Sequence, residues 1–169
     1  MNIFVLDENP VKSAQAMDCV RVPKMVTESA QMMASALRRW GATDEQMPLT
    51  KSGSPYKGGY HHHPCTIFAG DTRANFKWLA HHAEALLDEY HHRFGKVHAC
   101  HNPIYQMSSM SKMIPEGELM PFAQAMPDEY KDDDAVKAYR AYYHSKMYSA
   151  GGVHYRHTSP PDWWMGVTA

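Results

Sequence analysis

Lys24, Glu28 and Gln31 recur at helical spacing and stack along one side of a helix read from Val22 to Trp40, with Arg21 one turn before Lys24. Two cations, a carboxylate and an amide held in a row on a rigid element form a candidate reactive face. The same spacing fits a solvated stripe with a Lys24–Glu28 pair, a common feature of exposed helices. The other side must hold the helix in place. Val22, Met25, Val26, Ser29, Met33, Ala36, Leu37 and Trp40 predict a buried stripe. Pro23 falls in the first turn, where a missing N–H costs nothing.

A second stretch with chemical potential is Tyr139-Arg140-Ala141-Tyr142-Tyr143-His144-Ser145-Lys146. Aromatic rings interleaved with cations suit stacking on bases together with phosphate contacts. Equally, Val136, Tyr139, Tyr143 and Met147 fit a core face, with Arg140 and Lys146 on the surface. A helix has room for both.

The chain carries 12 His, clustered at His61-His62-His63-Pro64-Cys65 and His98-Ala99-Cys100-His101. Zinc takes such ligands, but the spacing matches no common finger. Where a zinc deaminase needs a second Cys, three residues after Cys65, stands Phe68. His81 and Asp88 on one helix are a further pair to weigh. The favoured reading is a polar groove lined by hydrogen-bonding histidines, with no metal and no cofactor. Gly58-Gly59 and Gly151-Gly152 lack the Lys-Ser/Thr of a phosphate loop. No Gly-x-Ser-x-Gly elbow occurs. Cys19, near Arg21 and Lys24, reads as a small buried thiol ahead of an activated one.

These residues sit in a chain of 169 residues, 44% hydrophobic and 21% charged, which predicts one globular domain over residues 1–169 with a real core. A net charge of −1 argues against coating nucleic acid by bulk charge, though not against a local basic patch. Three Cys, an odd and small number, fit a reducing compartment. The start, Met1 to Asp7, has no basic region and too short an apolar run for a signal peptide. No stretch is long and apolar enough to span a bilayer. The expectation is a soluble cytoplasmic protein that makes no membrane contact.

Along the chain, residues 2–6 read as a short strand or a buried extended lead-in. Asn9 caps a short helix with Pro10 at its first position, running to about Met17. The Val22–Trp40 helix ends near Gly41. Residues 42–64, rich in Gly, Pro, Ser and Thr, read as a long loop. Gly70-Asp71-Thr72 caps a second long helix, about 72–94, that buries Phe76, Leu79, Ala83, Leu86, Leu87, Tyr90 and Phe94. Lys77, His81, Glu84 and Asp88 lie opposite, and Gly95 ends it. Residues 96–131 read mostly as loop with one helical turn at most. Asp132-Asp133-Asp134 opens a third helix, about 133–149, where the helix dipole favours negative charge, and Gly151-Gly152 breaks it. The tail, with Trp163 and Trp164, packs back as an irregular cover. The predicted class is mainly α: a compact single-domain helical fold with three main helices and long irregular loops.

Three segments, in order, resemble the pyrimidine-dimer DNA glycosylases of the phage endonuclease V type. Ser13 to Met33 carries the pattern Met17-Asp18-x-x-Arg21-x-x-Lys24-x-x-x-Glu28-x-x-Gln31. His63-Pro64, the Phe76–Tyr90 helix and Arg93 are similar to the second segment. Tyr139–Lys146 is similar to a Tyr-Lys-Tyr-Tyr-Gly-Lys stretch near the end of the phage enzyme. Residues 1–33 with Pro121–Pro127 also resemble a group of phage proteins, which would place the chain in a host-cell cytoplasm.

The resemblance implies a helical fold that binds duplex DNA and flips a nucleotide. It implies an N-terminal α-amine that attacks the sugar C1′ to give an imine, with a carboxylate assisting base loss and strand cleavage. An α-amine titrates near pH ~8, so a usable fraction is neutral at neutral pH. Two positions depart from the family pattern. Asn2 stands where a small residue, uncovered by removal of the initiator Met, is the nucleophile, and its bulk leaves Met1 to supply the amine. Matching Val22-Pro23-Lys24 to Leu-Pro-Arg puts Arg21 where the catalytic Glu belongs. Glu28 lies one to two turns on, and Asp18 just before.

The expectation that follows is a DNA-processing protein, glycosylase and abasic-site lyase in type, acting on a damaged or modified pyrimidine base. Arg21 and Lys24 would contact phosphate or stabilise developing charge, and Glu28 would be the acid/base. His63 would shuttle a proton, and Met1 or Lys24 would supply the amine. Arg140, Tyr142, Tyr143 and Lys146 would face the strand. Met1, the start of the long helix and the aromatic end of the last one should then gather round one hollow. The alternative is a nucleotide- or small-molecule-binding protein on the same scaffold without glycosylase activity, serving phage counter-defence or nucleotide metabolism. Its support is the near-zero net charge.

Overall fold

A computed structural model describes residues 1–149, 152–166 and 168. Among these residues there are six α-helices and no strand: α1 Pro10–Ala16, α2 Arg21–Arg39, α3 Pro64–Asp71, α4 Arg73–Phe94, α5 His101–Ser108 and α6 Ala135–Ser149. Short 3-10 turns lie at Ser111–Met113 and Asp128–Tyr130. The mainly α reading, with three main helices joined by long irregular segments, holds. None of the described helices is long and apolar enough to cross a membrane.

The helix limits follow local chemistry. Asn9 Oδ1 accepts the N–H groups of Val11 and Lys12 at the start of α1, with Pro10 in the first turn. Thr72 caps α4, and Gly95, at φ 65, closes it in the left-handed conformation that a side chain would strain. α4 is the centre of the packing and lies against α1, α2, α3 and α5, while α2 lies on α3, α4 and α5. α2 positions the candidate reactive face. Its inner face buries Val22, Met25, Val26, Ser29, Met33, Ala36 and Leu37. Trp40 does not continue that stripe. It is exposed past the helix end, and its indole N–H donates to the Gly70 carbonyl at 2.7 Å, since a buried indole needs a partner that the apolar core cannot supply.

Two helices were not legible in the sequence. α3 buries Cys65, Thr66, Phe68, Ala69 and Gly70 and exposes Pro64, Ile67 and Asp71, so Thr and Gly face in while Ile faces out and the residue types show no stripe. α5 runs two turns within the stretch read as mostly loop. It buries only Ile104 and Met107, too few apolar positions to show a period. Gly151 of the predicted helix break lies outside the described residues.

Residues 2–6 are a buried lead-in, neither a strand nor extended throughout, since Phe4 turns through φ 57, so side chains must satisfy its backbone. Asn2 N–H donates to Glu28 Oε2 at 2.8 Å, and Asn2 Oδ1 accepts the N–H groups of Ile3 and Phe4. Ser13 Oγ accepts from Leu6 N–H and donates to the Phe4 carbonyl. Arg140 Nε donates to the Leu6 carbonyl at 2.9 Å. On α6, Tyr139 and Tyr143 are fully buried and pack edge-on against Phe4. The tail folds back as expected. Tyr155 OH donates to the Ala16 carbonyl, and Trp164 stacks on His144 at 4.6 Å.

Two buried side chains of α4, Arg93 and His82, bond α1. Arg93, 1% exposed, donates to the Met17 and Gln15 carbonyls at the end of α1 and to Glu89 at 2.8 Å. It meets the negative end of a helix dipole with fixed hydrogen bonds. Arg93→Met should therefore destabilise the fold by about 3 kcal/mol or more, because Glu89 and two carbonyls lose their donor together. Equilibrium urea unfolding measures this, with Arg93→Lys recovering only part.

His82 is fully buried, stacks on Trp78 at 5.1 Å, and shares Nδ1 with the Pro10 carbonyl at 3.0 Å, which assigns the ring proton to Nδ1. Burial pushes its pKa down to about 4 from 6.5. A folded pKa below the unfolded one gives stability that is fully present above pH 6.5 and lost as pH falls toward 4. Stability should drop by up to roughly 3 kcal/mol over that window from this group. His82→Asn keeps a donor near Nδ1 but does not titrate, so its urea midpoint should vary less between those pH limits, whatever its value at neutral pH.

Candidate active site

Glu28 lies on the side of α2 opposite the predicted core stripe, yet it is only 9% exposed. A carboxylate removed from water needs donors. Oε2 accepts the Asn2 N–H at 2.8 Å and lies 3.7 Å from the Met1 α-amine. Oε1 lies 3.8 Å from Lys24 Nζ, whose side chain is 61% exposed. The solvated Lys24–Glu28 stripe is thus corrected. The lead-in covers the carboxylate and leaves only the lysine in solvent.

Met1 is held by its side chain, which is 2% exposed and packs against the core. The residue as a whole is partly exposed, so its exposure lies in the backbone that bears the amine. Asn2 fixes the direction in which that amine leaves the core. Beyond its bonds to Glu28, Ile3 and Phe4, its Nδ2 donates to the Ala125 carbonyl at 2.8 Å. In sequence Asn2 stood out only for its bulk. The available signal was a short amide side chain just before a buried apolar run, where it serves orphaned backbone N–H groups.

His63 stands at the start of α3, where its Nδ1 accepts the Cys65 N–H at 3.1 Å as the helix cap. That bond assigns the ring proton to Nε2 in the neutral form. Desolvation lowers its pKa, the nearby N-terminal ammonium lowers it further, and Glu28 opposes them. His63 therefore feels both partners of the amine–carboxylate pair, and its neutral form is favoured over the expected half-charged shuttle. Below it, the buried Cys65 thiol is pushed up to about 11, chiefly by burial. It touches Tyr139 OH and Asn2 Oδ1 and is unsuited to nucleophilic work.

Met1, Lys24, Glu28 and His63 thus come together. The remaining expected site residues fall elsewhere. Arg21 Nη1 pairs with Asp18 at 3.6 Å, and its side chain is 17% exposed. Asp18 is fully buried and accepts from Val20 N–H and from the Tyr143 hydroxyl. Tyr143 as a strand-facing ring is therefore corrected. It is fully buried because its hydroxyl is needed by Asp18, and burial with that neighbouring charge raises its pKa well above the usual tyrosine value. Tyr142 is partly buried and stacks on Phe4 at 6.0 Å, with Lys146 Nζ 5.7 Å from the ring centre. Arg140 braces the lead-in through Leu6, lies 3.6 Å from Asp7 and stacks over Trp163. The aromatic end of α6 meets the lead-in at Phe4 to Asp7, while the amine and Glu28 meet at its first two residues.

The two His-Cys clusters do not build a metal centre. Among the described residues no three His, Cys, Asp or Glu converge on one point. His63 Nδ1 and His98 Nδ1 are each occupied by a backbone N–H two residues on.

The family described as pyrimidine dimer DNA glycosylase matches residues 1–102, a span that includes Met1, Lys24, Glu28 and His63 and stops before α6. No curated protein and no solved structure matches the chain. The family match takes in more than half of the chain, so the chain belongs to the pyrimidine dimer DNA glycosylase family.

Proposed function

We propose that the chain is a DNA glycosylase with an abasic-site lyase step, acting on a damaged or modified pyrimidine base, with the Met1 α-amine as nucleophile and Glu28 as its acid/base. The observation that carries this reading is an anchored residue whose exposure lies at the amine, 3.7 Å from a carboxylate that is otherwise inside the protein. Membership of the family supports DNA as the substrate.

The chemistry follows from that pairing. The neutral amine attacks C1′, and the bond from C1′ to the base breaks with its electrons leaving on the base, which takes a proton from solvent. Glu28 accepts the proton that the new C–N nitrogen must lose. The nitrogen lone pair then opens the C1′–O4′ bond, Glu28 returns its proton to O4′, and a protonated imine remains. Holding the amine by the Met1 side chain and the Asn2 bonds removes much of the orientational cost of the attack. Lys24, largely in solvent, supplies charge for a backbone phosphate. The Nε2–H of neutral His63 is a donor for the departing base or a nearby phosphate oxygen.

Borohydride trapping on a duplex with one abasic site tests this directly. The expected product is a covalent adduct that maps by mass spectrometry to the peptide beginning at Met1 and is abolished by N-terminal acetylation. Glu28→Gln keeps an acceptor for Asn2 N–H, so the variant should fold, yet its single-turnover rate should fall by about 100-fold or more. Lys24→Ala should still form the adduct while binding DNA more weakly. An adduct on Lys24, or none with the unmodified protein, would remove the Met1 assignment.

A further inference from the structure

The stripe of α2 that carries Lys24 and Glu28 continues to Ser35 and Arg39. There a cleft of about 450 Å³ opens between α2 and α3, lined by Ser35, Ala36, Arg39, His61, His62 and Thr66, with Ile67 on its rim. The preceding loop is pressed onto α2. Ser35 Oγ both donates to the Gly59 carbonyl and accepts its N–H, each at 2.8 Å. A Cβ at Gly58, whose φ is 78, would come within 2.3 Å of Ser35 Oγ, so only glycine permits this approach. The docked loop carries His61 and His62 to the mouth of the cleft, both exposed.

Two features show polar groups set out for a ligand. Thr66 is 4% exposed, and its hydroxyl has no hydrogen-bond partner among the described residues. A buried unpaired hydroxyl is costly to keep. Arg39 is held from one side: Nη1 bonds Asp71 at 2.9 Å and reaches the Ile67 carbonyl, and the guanidinium stacks on Trp40. Its Nε and Nη2 carry no bond among the described residues. A fixed guanidinium with free N–H groups, an unpaired hydroxyl and two imidazoles can all donate, and the one carboxylate beside them, Asp71, engages Arg39 through Nη1 from outside the cleft lining.

We propose that this cleft binds a phosphate of the DNA backbone, flanking the nucleotide at Met1 and Glu28. The inference rests on the DNA reading above. Ser35 is seven residues from Glu28 on the same helix face, about 10 Å along the axis, which is about the rise of three base pairs. One strand can therefore pass the amine and reach the cleft. Arg39 and the Thr66 hydroxyl hold phosphate oxygens there, and His61 and His62 close the mouth.

The test uses Thr66→Val and Arg39→Gln, neither of which touches the amine or Glu28. Thr66→Val should keep or raise the thermal midpoint, because the hydroxyl has no partner among the described residues. Its affinity for a fluorescent abasic-site duplex should nonetheless fall about tenfold. Arg39→Gln should weaken binding and reduce the salt slope of log Kd by about 0.9, the value of one phosphate contact. With DNA saturating, both should form the borohydride adduct at the wild-type rate. Wild-type affinity and salt slope in both variants would overturn the cleft while leaving the Met1 chemistry intact. If the unmodified protein forms no adduct but both variants lose affinity, the cleft stands and the nucleophile assignment falls. A protein that binds no duplex would overturn it.

Discussion

The arrangement around Glu28 depends on one electrostatic requirement. A carboxylate carried by α2 is covered by residues 1 and 2, and such a group is tolerated only when polar or charged partners replace the water it has lost. The Asn2 N–H donates to it, and the Met1 amine and Lys24 lie at ion-pair distance. The bond from Asn2 sets the height of the lead-in on α2, and Asn2 in turn holds Ile3 and Phe4 through its side chain. From Phe4 onward the lead-in forms the floor on which the α6 aromatics sit. A chain terminus, which ordinarily frays, becomes a fixed part of the interior.

The same requirement recurs wherever the structure buries charge, and each instance ties together segments far apart in sequence. Asp18, ahead of α2, is satisfied by Tyr143 of α6 and by Arg21. Arg93, near the end of α4, is satisfied by carbonyls ending α1 and by Glu89. These contacts hold the lead-in and α1 on the long helices from both ends. A side chain or terminus mounted on such a frame keeps its direction without help from a ligand.

That division of labour extends to the end of α6. Tyr139 and Tyr143 give their rings to the core and their hydroxyls to Ala123 and Asp18. Arg140 braces Leu6. On the outer stripe of α2, Lys24 pairs with Glu28 and Arg39 with Asp71, and both cations stay partly in solvent. The family match covers α2 and the segment before α3 and ends before α6.

Much of the fold was legible in the sequence because local patterns carry it: the apolar stripe of α2, the Asn9-Pro10 and Thr72 starts, and Gly95 as a stop all act within a few residues. α3 and α5 were not, since a helix that turns Ile67 outward and Thr66 and Gly70 inward, or one with two apolar anchors, has no hydropathy period to read. At the site, sequence alone singled out Met1, Lys24, Glu28 and His63 but left open whether they meet. Helical spacing says which residues share a face, not what lies over that face. Only the tertiary structure decided that the lead-in covers Glu28, that Tyr143 is spent on Asp18, and that Trp40 turns outward. Each depends on the partner that a buried polar group finds across the fold, and such partners lie dozens of residues away in the chain.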